Sequence, residues 1–117
     1  MKFLLLMAEA EHFERWDAAD DEARERTFAA FAAFDEAVEQ RGSIVGGEAL
    51  DRPATARTVR PGTPRHVTAG PFAETVEQTG GFYVIDVPSL DDAVELAGLL
   101  PAEYTIEVRP CVAAPEG

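Results

Sequence analysis

Proton transfer is the chemistry for which this sequence is best equipped. His66 stands between Arg65 and a Gly70-Pro71-Phe72 turn, in a segment of β-like composition. Imidazole titrates near neutral pH, which suits a general acid or base. A base of this kind needs a carboxylate to orient it. Asp86, on the side of Phe82 and Val84 in the apolar run Gly81–Val87, is the strand candidate. Glu74 and Glu77 are three residues apart. On a helical turn they would share a face and could share a proton; on an extended segment they would diverge. Arg60 and Arg65 offer guanidinium forks that match a carboxylate or phosphate. Tyr83 could donate a phenolic hydrogen bond inside a cleft. His12 follows the first apolar run, where strand-end loops rim clefts. Plainer readings compete with each: a hydrogen-bonded strand histidine, carboxylates paired with arginines, a tyrosine packed on a sheet, and His12 as surface decoration among acids.

Other chemistries lack their residues. No His-Glu-x-x-His or Cys-x-x-Cys spacing is present, so no metal site is expected. Gly46-Gly47 opens neither a phosphate loop nor a dinucleotide fingerprint, and no Gly-x-Ser-x-Gly elbow occurs. Cys111 sits near the C-terminus without an adjacent base. No cofactor is expected.

The charge balance narrows the partners. The chain carries 22 Asp and Glu against 10 Lys and Arg, a net charge of −12. That argues against direct nucleic-acid binding, whose affinity rests on neutralising phosphates. The acids crowd between Glu9 and Glu25, whereas Arg52 to His66 holds four arginines and no carboxylate. Two solvated segments that attract each other is the simpler reading. An arginine segment facing a small anionic ligand is the sharper one. A single cysteine forms no internal disulfide, and no run approaches the ~20 apolar residues that span a bilayer. A cytoplasmic protein with no membrane association is the expectation.

The elements that must position these residues follow from periodicity. Lys2–Met7 is apolar throughout, as in a central strand covered on both faces. A helix begins between Glu11 and Ala18. Arg24–Gly42 is the clearest helix, with Phe28, Phe31, Phe34 and Val38 as its core stripe, Trp16 anchoring its start and Gly42 ending it. Ser43–Leu50 and Thr55–Arg60 are short strands, Pro61–Pro64 a turn, and Arg65–Ala69 a short hairpin partner. Gly80-Gly81 lets the backbone swing into a strand. Pro88–Pro101 is a helix with Ser89 as N-cap and Asp92 completing a capping box. Tyr104–Cys111 alternates as a half-buried strand. The order β-α-β-β-(β)-β-α-β predicts an α+β ferredoxin-like sandwich, two helices on a mostly antiparallel sheet. The first and the Phe82–Val87 strands are apolar on both faces, so a second subunit's sheet is the natural cover. The expectation is a homodimer, a dimeric α+β barrel, built on one domain over residues 1–112 with a tail at 113–117.

The run "AGPFAETVEQTGGFYVIDVPSLDDAVELAGLLP" followed by "IEVRPC" resembles the DGPF-domain branch of the YCII-related family. The likeness extends back through "ARTVRPG" to the opening strand and so covers nearly the whole chain. Two positions depart: the family's aspartate is Ala69 here, and its usual lysine is Val76. The resemblance implies a dimeric α+β barrel with a cleft beside the sheet. It implies no established reaction, because the branch is largely uncharacterised. For YCII-type members a His–Asp pair is the suggested catalyst, and some DGPF members are encoded beside extracytoplasmic-function sigma factors.

Two functions are therefore open at this stage. One is a cofactor-independent acid/base enzyme acting on a small anionic or carbonyl compound, with His66 as proton carrier, Asp86 as orienter, and Arg60 or Arg65 as anion anchor. The other is a non-catalytic, ligand-sensing or regulatory module whose acidic helix surface meets a protein partner such as a sigma factor.

Overall fold

The computed structural model describes residues 1–73 and 76–114. Strand β1 (Lys2–Ala10) leads into helix α1 (His12–Ala18) and the long helix α2 (Asp21–Arg41). Strand β2 (Ser43–Ala49) follows. Next come β3 (Arg57–Arg60) and β4 (His66–Ala69), then β5 (Glu77–Asp86), helix α3 (Leu90–Ala97) and β6 (Thr105–Pro110). The main sheet has the order β2-β5-β1-β6 with antiparallel pairing throughout. This is the α+β ferredoxin-like arrangement the periodicity predicts, with three helices where two were expected. Ala19 and Asp20 interrupt the first helical stretch, and the Asp20 side chain caps α2 by accepting from the Ala23 N–H at 2.8 Å.

Alternation along β1 sends Phe3, Leu5, Met7 and Glu9 toward the helices and Leu4, Leu6 and Ala8 to the opposite face. Phe3, Leu5 and Ile85 meet Phe34 and Val38 of α2 and Ala93, Leu96 and Ala97 of α3 in the core. The Ser89 cap forms as predicted: its hydroxyl oxygen accepts from the Asp92 N–H at 3.1 Å and its O–H donates to the Asp92 carboxylate at 2.9 Å. Gly42 ends α2 in an extended conformation, φ 177°. Its lack of a side chain is needed for a different reason from a left-handed turn, because a Cβ there would collide with the Asp86 carbonyl.

Three boundaries differ from expectation. β1 runs on to Ala10 and β5 starts at Glu77, so the central pair is longer than its apolar runs. A bulge between Met7 and Ala8 keeps the two in register. The third difference is that β3 and β4 form a separate two-stranded sheet. This arm leaves the main sheet at the Ala49 end of β2 and returns at the Glu77 end of β5. The radius of gyration, 16.2 Å, exceeds the roughly 13 Å of a compact chain of this length, as a projecting arm requires. Of the tail expected at 113–117, residues 115–117 lie outside the described residues.

Candidate functional site

The chain turns from β1 into α1 at Glu11, which takes φ 54° and ψ 36°. That left-handed conformation is uncommon for a residue with a side chain and clusters where a site constrains the backbone. It folds His12 back over Glu9, three residues earlier. Glu9 Oε2 lies 3.0 Å from His12 Nδ1, and the two side chains are only 10% and 14% exposed. The other Glu9 oxygen accepts from Arg15 Nε at 3.0 Å. An ionised carboxylate only accepts, so in the uncharged ring Nδ1 holds the proton and Nε2 presents a lone pair. A buried carboxylate needs such partners to remain where it is.

The imidazole is held on its other sides by apolar surface. Phe13 and Tyr104 meet it edge-on, with ring centroids at 4.8 Å and 5.6 Å. Gly80 lies beneath it, and a Cβ at that position would collide with the ring. The Gly80-Gly81 pair that looked like a backbone swing thus makes room for His12. The Phe13 N–H donates to Gln78 Oε1 at 3.3 Å, which ties the start of α1 to β5.

His12 stands in the wall between two cavities. One, of about 490 Å³, lies between the sheet and α1–α2 and is lined chiefly by Phe13, Trp16, Phe28, Phe31, Tyr83 and Tyr104. The second, of about 510 Å³, carries the polar groups Glu9, Arg15, Arg26 and Glu103. Both sizes fall in the range of small-molecule sites. The phenylalanine stripe on α2, expected to be core throughout, divides: Phe34 is fully buried, Phe31 is half-buried, and Phe28 is 60% exposed at the cavity. Trp16 does anchor the helix start, with Arg24 stacked 5.0 Å over its ring and Phe28 edge-on at 5.6 Å.

Tyr83 reaches the first cavity from the helix-facing side of β5, but its hydroxyl donates to Asp35 Oδ1 at 3.2 Å. Burial, reinforced by the Asp35 charge and hydrogen bond, pushes the phenol up to about 12. Burial also raises Tyr104, with Glu9 and Glu103 adding to it. The folded state therefore keeps the Tyr83 proton where an unfolded phenol of ordinary pKa 10 loses it. Its contribution to stability is complete below pH 10 and is lost as pH rises to about 12. Alkaline unfolding followed by circular dichroism should show that decline, and Tyr83→Phe should flatten it over the same window.

The other sequence candidates are not brought together. His66 is exposed on the arm, in register with Arg60. Asp86 is at the far end of β5, whose ten residues at about 3.3 Å each separate its ends by roughly 30 Å. There it lies on the sheet face away from the helices, opposite Lys2, and accepts from the N-terminal ammonium at 2.9 Å. The expected pairing of His66 with Asp86 is therefore not formed. Glu77, at the start of β5, accepts from the Thr105 hydroxyl at 2.8 Å. Glu74 lies outside the described residues. Neither Arg60 nor Arg65 lines either cavity. Of the four clustered arginines, Arg52 reaches the acidic segment, with both Asp17 oxygens at 2.7 Å. Of the two histidines it is His12, the one that read as surface decoration, that occupies the cleft. The sequence signal for it was the three-residue spacing from Glu9 together with a glycine pair in the neighbouring strand.

Comparison with known proteins adds the following. A family model described as the YCII-related domain matches residues 1–110. An uncharacterised protein of Rhizobium meliloti (strain 1021) is 52% identical over 48 residues, covering 38% of this chain. The chain spans 39% of the length of that curated relative. A solved structure of 5-chloro-2-hydroxyhydroquinone dehydrochlorinase from Burkholderia phenoliruptrix AC1100, complexed with 2,5-dihydroxybenzoquinone, aligns with 92% of this chain and 91% of its own. The identity in that alignment is 19% and the TM-score 0.41. No helix among the described residues is long and apolar enough to cross a membrane.

Proposed function

The chain belongs to the YCII-related family, and we propose that it is a cofactor-independent acid/base enzyme in which His12, oriented by Glu9, moves a proton on a small ring-bearing carbonyl compound. One observation carries this reading: a carboxylate and an imidazole 3.0 Å apart, nearly buried, at the wall of an aromatic cavity. Glu9 fixes the ring and balances the imidazolium that forms when Nε2 takes a proton. Arg15 holds Glu9 from its far side. The apolar lining lowers the polarity on one side of the ring, which strengthens the Glu9–His12 interaction during transfer. Phe13, Trp16, Phe28 and Phe31 favour a flat, apolar substrate body. Gly47, Gly80 and Gly81 line the cavity on its sheet side.

The functional unit in this reading is a homodimer. The open face of the main sheet carries Leu4, Leu6, Phe82 and Val84 in cross-strand register, and among the described residues the helices pack on the opposite face. A second copy of the same face is the self-complementary cover.

The test combines a spectroscopic and a chemical readout. Nitrogen-15 NMR of the imidazole should show His12 with the proton on Nδ1. A panel of cyclic ketones and hydroxylated aromatic carbonyl compounds, incubated with the protein in deuterated water, should reveal at least one whose acidic C–H exchanges faster than in buffer. An Nε2-protonated tautomer, or no accelerated exchange across the panel, counts against the proposal.

A further inference from the structure

The arm formed by β3 and β4 has two unlike faces. Alternation places Thr58, Arg60, His66 and Thr68 on one of them. That face is bonded within the arm and its root. Arg60 Nε donates to the Thr68 hydroxyl at 3.2 Å and its Nη1 to the Phe72 carbonyl at 3.2 Å, while the Thr58 hydroxyl donates to the Gly70 carbonyl at 2.7 Å. The other face is bare. Val59 and Val67 stand directly opposite each other and are 56% and 61% exposed. Arg57 and Arg65 extend the same side, Arg57 with its guanidinium on the Ala54 and Ala56 carbonyls. Among the described residues, β3 and β4 pack chiefly on each other rather than on the main sheet or a helix. A two-stranded ribbon is marginal in water by itself, and an exposed apolar pair beside cations marks a contact surface.

Charge indicates what covers it. Residues 57–69 of the arm hold three of the ten basic residues and none of the 22 carboxylates of a strongly acidic chain. The open face of the main sheet offers the complement. Its apolar centre is Leu4, Leu6, Phe82 and Val84, and the register places Glu48 of β2 and Glu107 of β6 on the same face at its two edges. Glu107 also touches Arg109 at 2.6 Å, in a pair at least half exposed to solvent.

We propose that the arm of one copy docks along the rim of the open sheet face of a second copy. Val59 and Val67 cover part of its apolar centre, and Arg57 and Arg65 face the carboxylates of its edge strands. This rests on the homodimer reading above and adds to it a reciprocal clasp, each copy holding the other. The sheet faces alone would leave both arms uncovered.

Sedimentation of the full chain over a range of concentrations tests the clasp. The double change Val59→Asp, Val67→Asp should raise the dimer dissociation constant by about tenfold or more, because charges enter an apolar contact. The circular dichroism spectrum should not change, since both valines lie outside the core. Arg65→Glu should weaken the dimer in the same direction, most at low salt. Mixing that variant with a Glu48→Lys, Glu107→Lys chain should restore affinity. Wild-type dimerisation by both arm variants overturns the clasp. If Leu6→Glu then still breaks the dimer, the sheet-face homodimer stands without it. A wild-type chain that stays monomeric at every concentration overturns both.

Discussion

His12→Gln should reduce proton exchange on a responsive ring compound by about 10²–10⁴-fold, the range a single general acid/base supplies. The loss should fall mainly on kcat, with KM less affected, because the aromatic residues lining the cavity are untouched. Tm should fall as well, because the nearly buried Glu9 carboxylate loses one of its two partners. Glu9→Gln should give a smaller but definite loss. An amide can still bond the ring, yet it can present either its oxygen or its nitrogen to Nδ1, so the Nδ1–H tautomer is no longer enforced. The imidazole NMR signal distinguishes the two variants, since only Glu9→Gln retains the ring and shows it in mixed tautomers. The competing assignment is tested in the same assay. His66→Gln, on the arm, should keep wild-type exchange, and a loss comparable to that of His12→Gln would move the chemistry to the arm.

Gly80→Ala is the second large effect, and it needs no change to any group that carries a proton. The added Cβ would enter the space of the imidazole ring itself, meeting Nε2, Cδ2 and Cε1 together. The ring cannot pivot easily, because Phe13 and Tyr104 flank it and Glu9 holds Nδ1. Either the ring leaves Glu9 or β5 shifts away from β1. A displacement on the order of 1 Å at a reacting group costs about 10²-fold in rate. Overpacking of this kind also costs about 1–3 kcal/mol of stability, readable as a lowered Tm. Gly46→Ala is the matched control, since a Cβ there meets nothing within 4 Å. It should leave both activity and Tm near wild type. Equal behaviour of the two alanine variants would remove the steric argument for Gly80.

Much of the fold could be read from periodicity because burial imposes it. The unbroken apolar run at Phe3–Met7, the Phe34 and Val38 positions of α2, the Ser89 cap and the alternation of β6 each have a local cause visible in a few residues. The site was harder to see, for reasons that are equally local. Glu9 is the last inward-facing residue of β1, but a glutamate after Ala8 looks like the end of a strand rather than its continuation. The turn at Glu11 needs a left-handed conformation, and nothing in a glutamate announces one. His66 and Asp86 are a histidine and a carboxylate on successive β-like segments, the composition of a proton-transfer pair. Strand direction then separated them, since β5 runs the full length of the sheet between the arm and Asp86. The arm could be anticipated as a hairpin around Pro61–Pro64. That it would stand apart from the main sheet could not, because its valines give the same alternation as a strand within one.

The position of His12 between two cavities has a consequence for isotope bookkeeping during turnover. One side of the ring faces an apolar chamber, and the other borders a chamber lined by Glu9, Arg15 and Arg26 that water can fill. In the proposed reaction a proton taken from substrate on the apolar side can therefore equilibrate with bulk solvent through the polar side before it is handed back. Label removed from one carbon should wash out into the medium instead of reappearing at another position of the same molecule. In the proposed reaction the chain would behave as an open relay between substrate and solvent, and the products should carry the isotope of the water in which they were made.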